Sequence, residues 1–212
     1  MLKIQRYCLP LLFLLAACGQ PEANTPTGNK PEPKDTNTSK LVVKPVSGFP
    51  DVDVSPMDMA YFPVDYPKLK MGKTISTPPL ARVIYSRPHL QGRHLFHELE
   101  KYGKPWRLGA NEATELELFS DATLQGKTIK AGRYVMYCIP QPDKWTMILN
   151  GNIDSWGLVP DPTKDLYKFD IPVLTNAQYT EYFTMFFEKA DAGAELVVAW
   201  DNVEVKIPFS FK

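Results

Sequence analysis

The sequence predicts an all-β protein, an antiparallel β-sandwich or barrel-like domain with one short helix. Three observations predict it. Short apolar runs recur with turn residues between them: "ARVIYS", "TELELF", "GRYVMYCI", "KWTMILN", "LYKFDIPV", "YFTMFF", "ELVVAW" and "VEVKIPF", a spacing that suits packed antiparallel strands. The composition, 20 Pro against 12 Gly with 10 Tyr and 11 Phe, favours strands and turns over long helices. Only one segment carries a helical period. With 212 residues and 44% hydrophobic content, the chain supports one ordinary core plus appendages.

From the N-terminus, "MLKIQRYCLPLLFLLAAC" places Lys3 and Arg6 before an apolar run from Leu9 to Leu15. The run is too short to span a bilayer and has the form of an export signal. It ends Leu15-Ala16-Ala17-Cys18, which resembles the lipobox of bacterial lipoproteins, so residues 1–17 are expected to be a signal peptide and Cys18 the lipidated residue. Such a terminus carries more than one acyl chain, palmitate among them, as stable anchoring requires. The expected partner is therefore a membrane. The expected location is the outer membrane facing the periplasm, because "GQPEANTP" after Cys18 holds no compact acidic run.

Gly19 to Lys40 contain no large apolar residue, which predicts a disordered tether reaching roughly 25 Å. Residues 18–50 thus form the lipidated Cys and tether, with a marginal strand at "LVVKPV", and residues 51–212 form the single β domain. "DVDVSPMDMAYFPVDYPKLKMG" lacks a clean period and reads as an extended arm. The one helix falls in "GRHLFHELEKYG", where Leu95, Leu99 and Tyr102 share a face and Gly103 is a stop. "LQGKTIKAG" and "ILNGNIDSWG" carry hairpin chemistry. Cys138 stands alone after processing and reads as a small buried hydrophobe.

Composition also excludes function classes. Lys+Arg 24 and Asp+Glu 24 cancel, so no field favours a polyanion and no nucleic-acid partner is expected. "QGKT" and "MGKT" echo a phosphate loop, but Asp121 and Pro67 stand where its first glycine belongs. "HELEK" begins like a zinc-protease helix, yet Lys101 occupies the second His position. His89, His94 and His97 are the chain's histidines. Two of them share a helical face, but no third ligand is dictated, so no metal or other cofactor is expected.

The arginines are the stronger lead. Arg82, Arg87, Arg93 and Arg107 lie in one window that ends in "GKPWRLGANEAT". Arginine grips planar carboxylates or phosphates bidentately and stacks on aromatics such as Trp106. The candidate ligand-binding set is Arg87, Arg93, Trp106, Arg107, Asn111 and Glu112. An equally physical alternative is a clasp in which Glu112, Asp58 or Glu98 takes one of these arginines as a buried ion pair joining loop to sheet.

"YSRPHLQGRHLF", "GKPWRLGANEAT", "AGRYVMYCIP", "WTMILN", "DSWG" and "VAWDNVEVKIP" together resemble the family known as domain of unknown function 2911, mainly lipoproteins and exported proteins of Bacteroidetes. The resemblance covers about residues 55 to 210. It implies that Arg87, Pro88, Gly92, Arg93, Trp106, Arg107, Gly109, Ala110, Asn111, Glu112 and Thr114 occupy signature positions. Three expectations follow for function. The first is a non-catalytic envelope module whose Arg/Trp/Asn/Glu cluster binds a small acidic or sugar-like ligand or a partner protein. The second is an enzyme with Glu112 as acid or base and Arg107 as electrostatic stabiliser. The third is a structural or assembly lipoprotein.

Overall fold

The computed structural model describes residues 52–211. Residues 1–51, which include the expected signal, Cys18, the tether and "LVVKPV", lie outside the described residues. Nine strands run antiparallel: β1 Met57–Phe62, β2 Ala81–Ser86, β3 Thr114–Leu118, β4 Ala122–Leu124, β5 Lys127–Ile129, β6 Gly132–Pro140, β7 Lys144–Asn150, β8 Asp165–Ala190 and β9 Gly193–Phe211. Their order is β1-β2-β3-β6-β7-β8-β9-β4-β5. The order does not close, so the sheet is open, and it folds over on itself as a sandwich.

The long β8 makes that fold possible. Its first stretch, Asp165–Pro172, pairs with β7, and from Val173 onward it pairs with β9. One strand therefore belongs to both layers. Facing side chains fill the space between them: Tyr85 of β2 meets Phe183 of β8 edge-on at 5.8 Å, and Phe62 of β1 stacks on Phe211 of β9 at 5.6 Å. Tyr85 Oη also donates to the Met185 carbonyl at 3.0 Å. Alternation supplies the inward faces, as in Ala81, Val83 and Tyr85 on β2 and Thr114, Leu116 and Leu118 on β3, all buried. That is the period-2 pattern of a half-buried strand.

The expected runs lie within these strands, with two mergers. "LYKFDIPV" and "YFTMFF" are successive parts of β8, and "ELVVAW" and "VEVKIPF" of β9. "LQGKTIKAG" is the β4–β5 hairpin, its central Gln125 and Gly126 both left-handed (φ 47° and 76°), as a primed turn requires. "ILNGNIDSWG" is instead the start of a longer link that carries a 3-10 turn, Pro162–Lys164, before β8. The expected helix shrinks to a five-residue π-turn, Leu95–Leu99, closed by the Glu100 amide donating to the Leu95 carbonyl. Tyr102 leaves the helical face altogether and is 43% exposed. The expected extended arm contains β1 and a six-residue helix, α1 Tyr66–Met71, which is too short to leave a period in the sequence.

"GKPWRLGANEAT" resolves into a clasp between the segment before β3 and the end of β2. Trp106 pairs through its backbone with Cys138 in both directions, at 2.8 and 2.9 Å. Leu108, Gly109 and Asn111 all have positive φ. This winding brings Ala110 to Ser86, whose hydroxyl donates to the Ala110 carbonyl and accepts from the Ala110 amide. Thr114 Oγ1 donates to the Leu108 carbonyl at 2.6 Å. At Gly109 (φ 146°) a Cβ would lie 2.8 Å from Ser86 Oγ and 3.1 Å from the Ser86 carbonyl oxygen. Gly109→Ala therefore combines backbone strain with a clash. It is expected to cost roughly 2 kcal/mol or more, read as a Tm drop of at least about 4 °C; an unchanged Tm contradicts the clasp.

Candidate functional site

Of the six arginine-window candidates, Arg87, Arg93, Trp106 and Asn111 are engaged in separate contacts. Arg87 is a tie between layers: Nη1 donates to Asp58 Oδ2 at 3.1 Å, Nε to the Phe183 carbonyl at 3.3 Å and Nη2 to Thr184 Oγ1 at 3.1 Å. Asp58 does pair with an arginine of the window, but the two side chains are 35% and 42% exposed, so the pair is not the buried clasp that the sequence offered. Arg93 donates to the carbonyls of Leu90 and His89 and so braces its own loop. Trp106 is 2% exposed, ringed by Trp145, Phe183 and Trp200 at 5.4 to 5.9 Å. Asn111 Nδ2 donates to Asp53 Oδ1 at 3.2 Å, and Glu112 is exposed. No ion pair joins Arg107 to Glu112 among the described residues.

Arg107 lies within electrostatic reach of a different carboxylate, Glu100, without pairing to it. Burial pushes the Glu100 carboxyl up to about 7, against the opposing pull of the Arg107 charge. Arg107 Nη1 is itself buried without a hydrogen-bond partner among the described residues. Glu100 ends the π-turn, and its charge also reaches Cys138, whose fully buried thiol is pushed well up, chiefly by burial.

Two clefts stand out. One, about 550 Å³, lies beside β1, α1 and the end of β8 and is lined mainly by apolar groups such as Met59, Val64, Phe186 and Phe187. Its charged members, Asp65 and Lys68, engage each other at 2.9 Å. The other, about 310 Å³, lies between the π-turn and β9 and is lined by His94, Leu95, Phe96, His97, Tyr102, Asp201, Asn202 and Val203. None of the six candidates lines either cleft.

The second cleft is built around Asp201. This residue is 8% exposed and sits inside β9 with φ 57°, where the β8–β9 register breaks on either side of its partner Thr180. A non-glycine residue held left-handed within a strand is uncommon and costs of the order of 1 kcal/mol or more, a feature that concentrates at functional sites. Asp201 Oδ2 accepts the Leu95 amide at 3.1 Å, satisfying a donor that begins the π-turn. The same oxygen lies 3.3 Å from His94 Nδ1. With its proton on Nδ1, the His94 ring would donate to this carboxylate.

The wall opposite is aromatic. Phe96 stacks on Tyr102 at 4.2 Å and meets Trp145 edge-on at 6.0 Å, so the cleft rests on the core. The His94 and His97 rings meet at 6.0 Å. Among the described residues no group of three or more His, Cys, Asp or Glu is arranged to hold a metal ion. Sequence reading singled out the histidines but passed over Asp201 and Asn202. The available signal was "WDN", two polar residues interrupting an apolar strand pattern.

Glu100 gives the site region a pH dependence. Because the folded carboxyl keeps its proton where the unfolded one has lost it, stability falls as pH rises from about 4.5 to about 7. Discounted for solvent screening at this partly exposed group, the effect is about 1 kcal/mol, or about 3 °C in Tm. Glu100→Gln removes it. The Tm difference between variant and wild type should grow by that amount from pH 4.5 to pH 8, and a difference independent of pH contradicts the assignment.

Comparison with curated proteins and with solved structures returns no match. Comparison with protein families returns one, over residues 68–209, a span that includes both the clasp and the Asp201 cleft. The chain belongs to the family described as "Protein of unknown function (DUF2911)".

Proposed function

We propose that this is a lipid-anchored cell-envelope protein that binds a small sugar-like ligand in the Asp201 cleft. The observation that carries the reading is the pairing, in one cleft, of a stacked aromatic wall with a carboxylate and an imidazole. Tyr102, backed by Phe96, offers a flat apolar surface of the kind that covers the C–H face of a sugar ring, and His94, Asp201 and Asn202 offer hydrogen bonds to its hydroxyls. An acidic ligand suits the cleft less well, because its carboxylate would meet that of Asp201. The binding role thus moves from the arginine window to residues that the window positions.

The anchoring half of the reading rests on the sequence alone. Lys3 and Arg6, the short apolar run and Leu15-Ala16-Ala17-Cys18 support export, cleavage and acylation at Cys18. The placement proposed is the outer membrane, facing the periplasm.

Each half has its own test. Cells fed labelled palmitate should incorporate label into the protein, and Cys18→Ala should abolish incorporation; label retained in the variant contradicts anchoring at that residue. Titration with glucose, mannose and N-acetylglucosamine, followed by NMR, should show saturable binding to at least one. His94→Ala and Tyr102→Ala should each weaken it about tenfold, in line with the loss of one hydrogen bond or one stacking contact. Undiminished binding in both variants places the ligand elsewhere.

A further inference from the structure

We propose that the Asp201 cleft is one end of an elongated site for a carbohydrate chain, with a second sugar platform formed by Tyr182 and His89. The inference rests on the sugar reading above and extends it from a single ring to an oligomer.

The two platforms have the same construction. In the cleft, Tyr102 is backed by Phe96 at 4.2 Å and remains 43% exposed. On β8, Tyr182 is backed by the His89 ring at 5.1 Å with an interplanar angle of 7°, and remains 47% exposed. A phenol braced from behind by a second ring loses little freedom when a ligand covers its open face, which lowers the entropic cost of binding. Scattered surface tyrosines are ordinary; here one braced tyrosine lines the Asp201 cleft and the other lies two residues from Thr180, the strand partner of Asp201.

The backing of Tyr182 is itself fixed. His89 forms an antiparallel bridge with Tyr182, the Phe183 amide donates to the Pro88 carbonyl at 2.8 Å, and the Leu90 amide donates to the Glu181 carbonyl at 3.1 Å. The His89 ring is steadied by the Gln91 side chain at 2.9 Å from Nε2.

Strand pairing and polar groups connect the platforms. Asp201 pairs with Thr180, and Tyr182 lies two residues further along β8, inside the register shift between Thr180 and Thr184. On the same short stretch stands Glu181. Its carboxylate accepts from Tyr179 Oη at 2.5 Å and from the Gln91 amide at 2.9 Å, and these bonds hold it below the usual carboxylate range. It therefore stays an acceptor for hydroxyl groups at neutral pH. Asp201 on β9 and Glu181 on β8 thus each place a carboxylate beside one of the tyrosines.

The test uses the full chain in a detergent without a sugar head group. Glucose, mannose and N-acetylglucosamine are titrated as monomers and as linear tetramers. For the sugar that binds, the tetramer should bind at least tenfold more tightly than the monomer, well beyond its statistical advantage. Tyr182→Ala and His89→Ala should each remove that gain while leaving monomer affinity unchanged, Tyr182→Phe should keep it, and His94→Ala should weaken monomer and tetramer alike. Equal affinity for monomer and tetramer, or a gain that survives both alanine variants, overturns the extended site and leaves the single-ring reading standing. Failure of every monomer and tetramer to bind overturns both.

Discussion

The seating of Trp106 between the layers is the constraint on which the rest of this structure depends. Its indole touches Trp145 of β7, Phe183 of β8 and Trp200 of β9, and its backbone is bonded twice to Cys138 of β6. One residue in a loop is thereby tied to four strands. Burying an indole of this size stabilises by a few kcal/mol. It also fixes the two stretches around it: the π-turn before it, and the left-handed winding of Leu108, Gly109 and Asn111 after it.

Around this anchor the conspicuous polar residues divide by task. The arginines mostly brace: Arg87 reaches two strands, β1 and β8, and Arg93 closes its own loop. The residues that face open space are quieter in the sequence, among them Tyr102, Tyr182 and Asn202. Asp201 joins the two groups, since one of its oxygens caps the π-turn and approaches His94. The strain at its backbone is thus held in place by the same contacts that shape the cleft.

Much of the fold was legible in the sequence because strand burial repeats every second residue, as Ala81, Val83 and Tyr85 show. The terms that failed were short or non-local. β1 hides among prolines and polar residues in "SPMDMAYFP", and α1 spans fewer than two turns. The register breaks at Thr180 depend on pairing with β9, and nothing within "NAQYTEYF" announces them. The site was harder still. Leu95 and Asp201 are 106 residues apart, and no local pattern brings them together. The importance of "GKPWRLGANEAT" was visible from its mixture of Gly, Trp, Arg and Glu, but whether Arg107 looked to Glu112 or to Glu100 depended on the path of the chain.

The sharing of β8 between layers also dictates the order of assembly. From Val173 onward this strand has β9 as its sheet partner, and β4 of the β4–β5 hairpin is likewise attached through β9. β9 runs from Gly193 to Phe211 and is the last strand described. Neither the second layer nor Asp201 can therefore be in place until nearly all of residues 52–211 have emerged from the ribosome. Such dominance of late, distant pairings slows folding. For the exported protein proposed above, that delay would keep the chain extended long enough to cross a membrane.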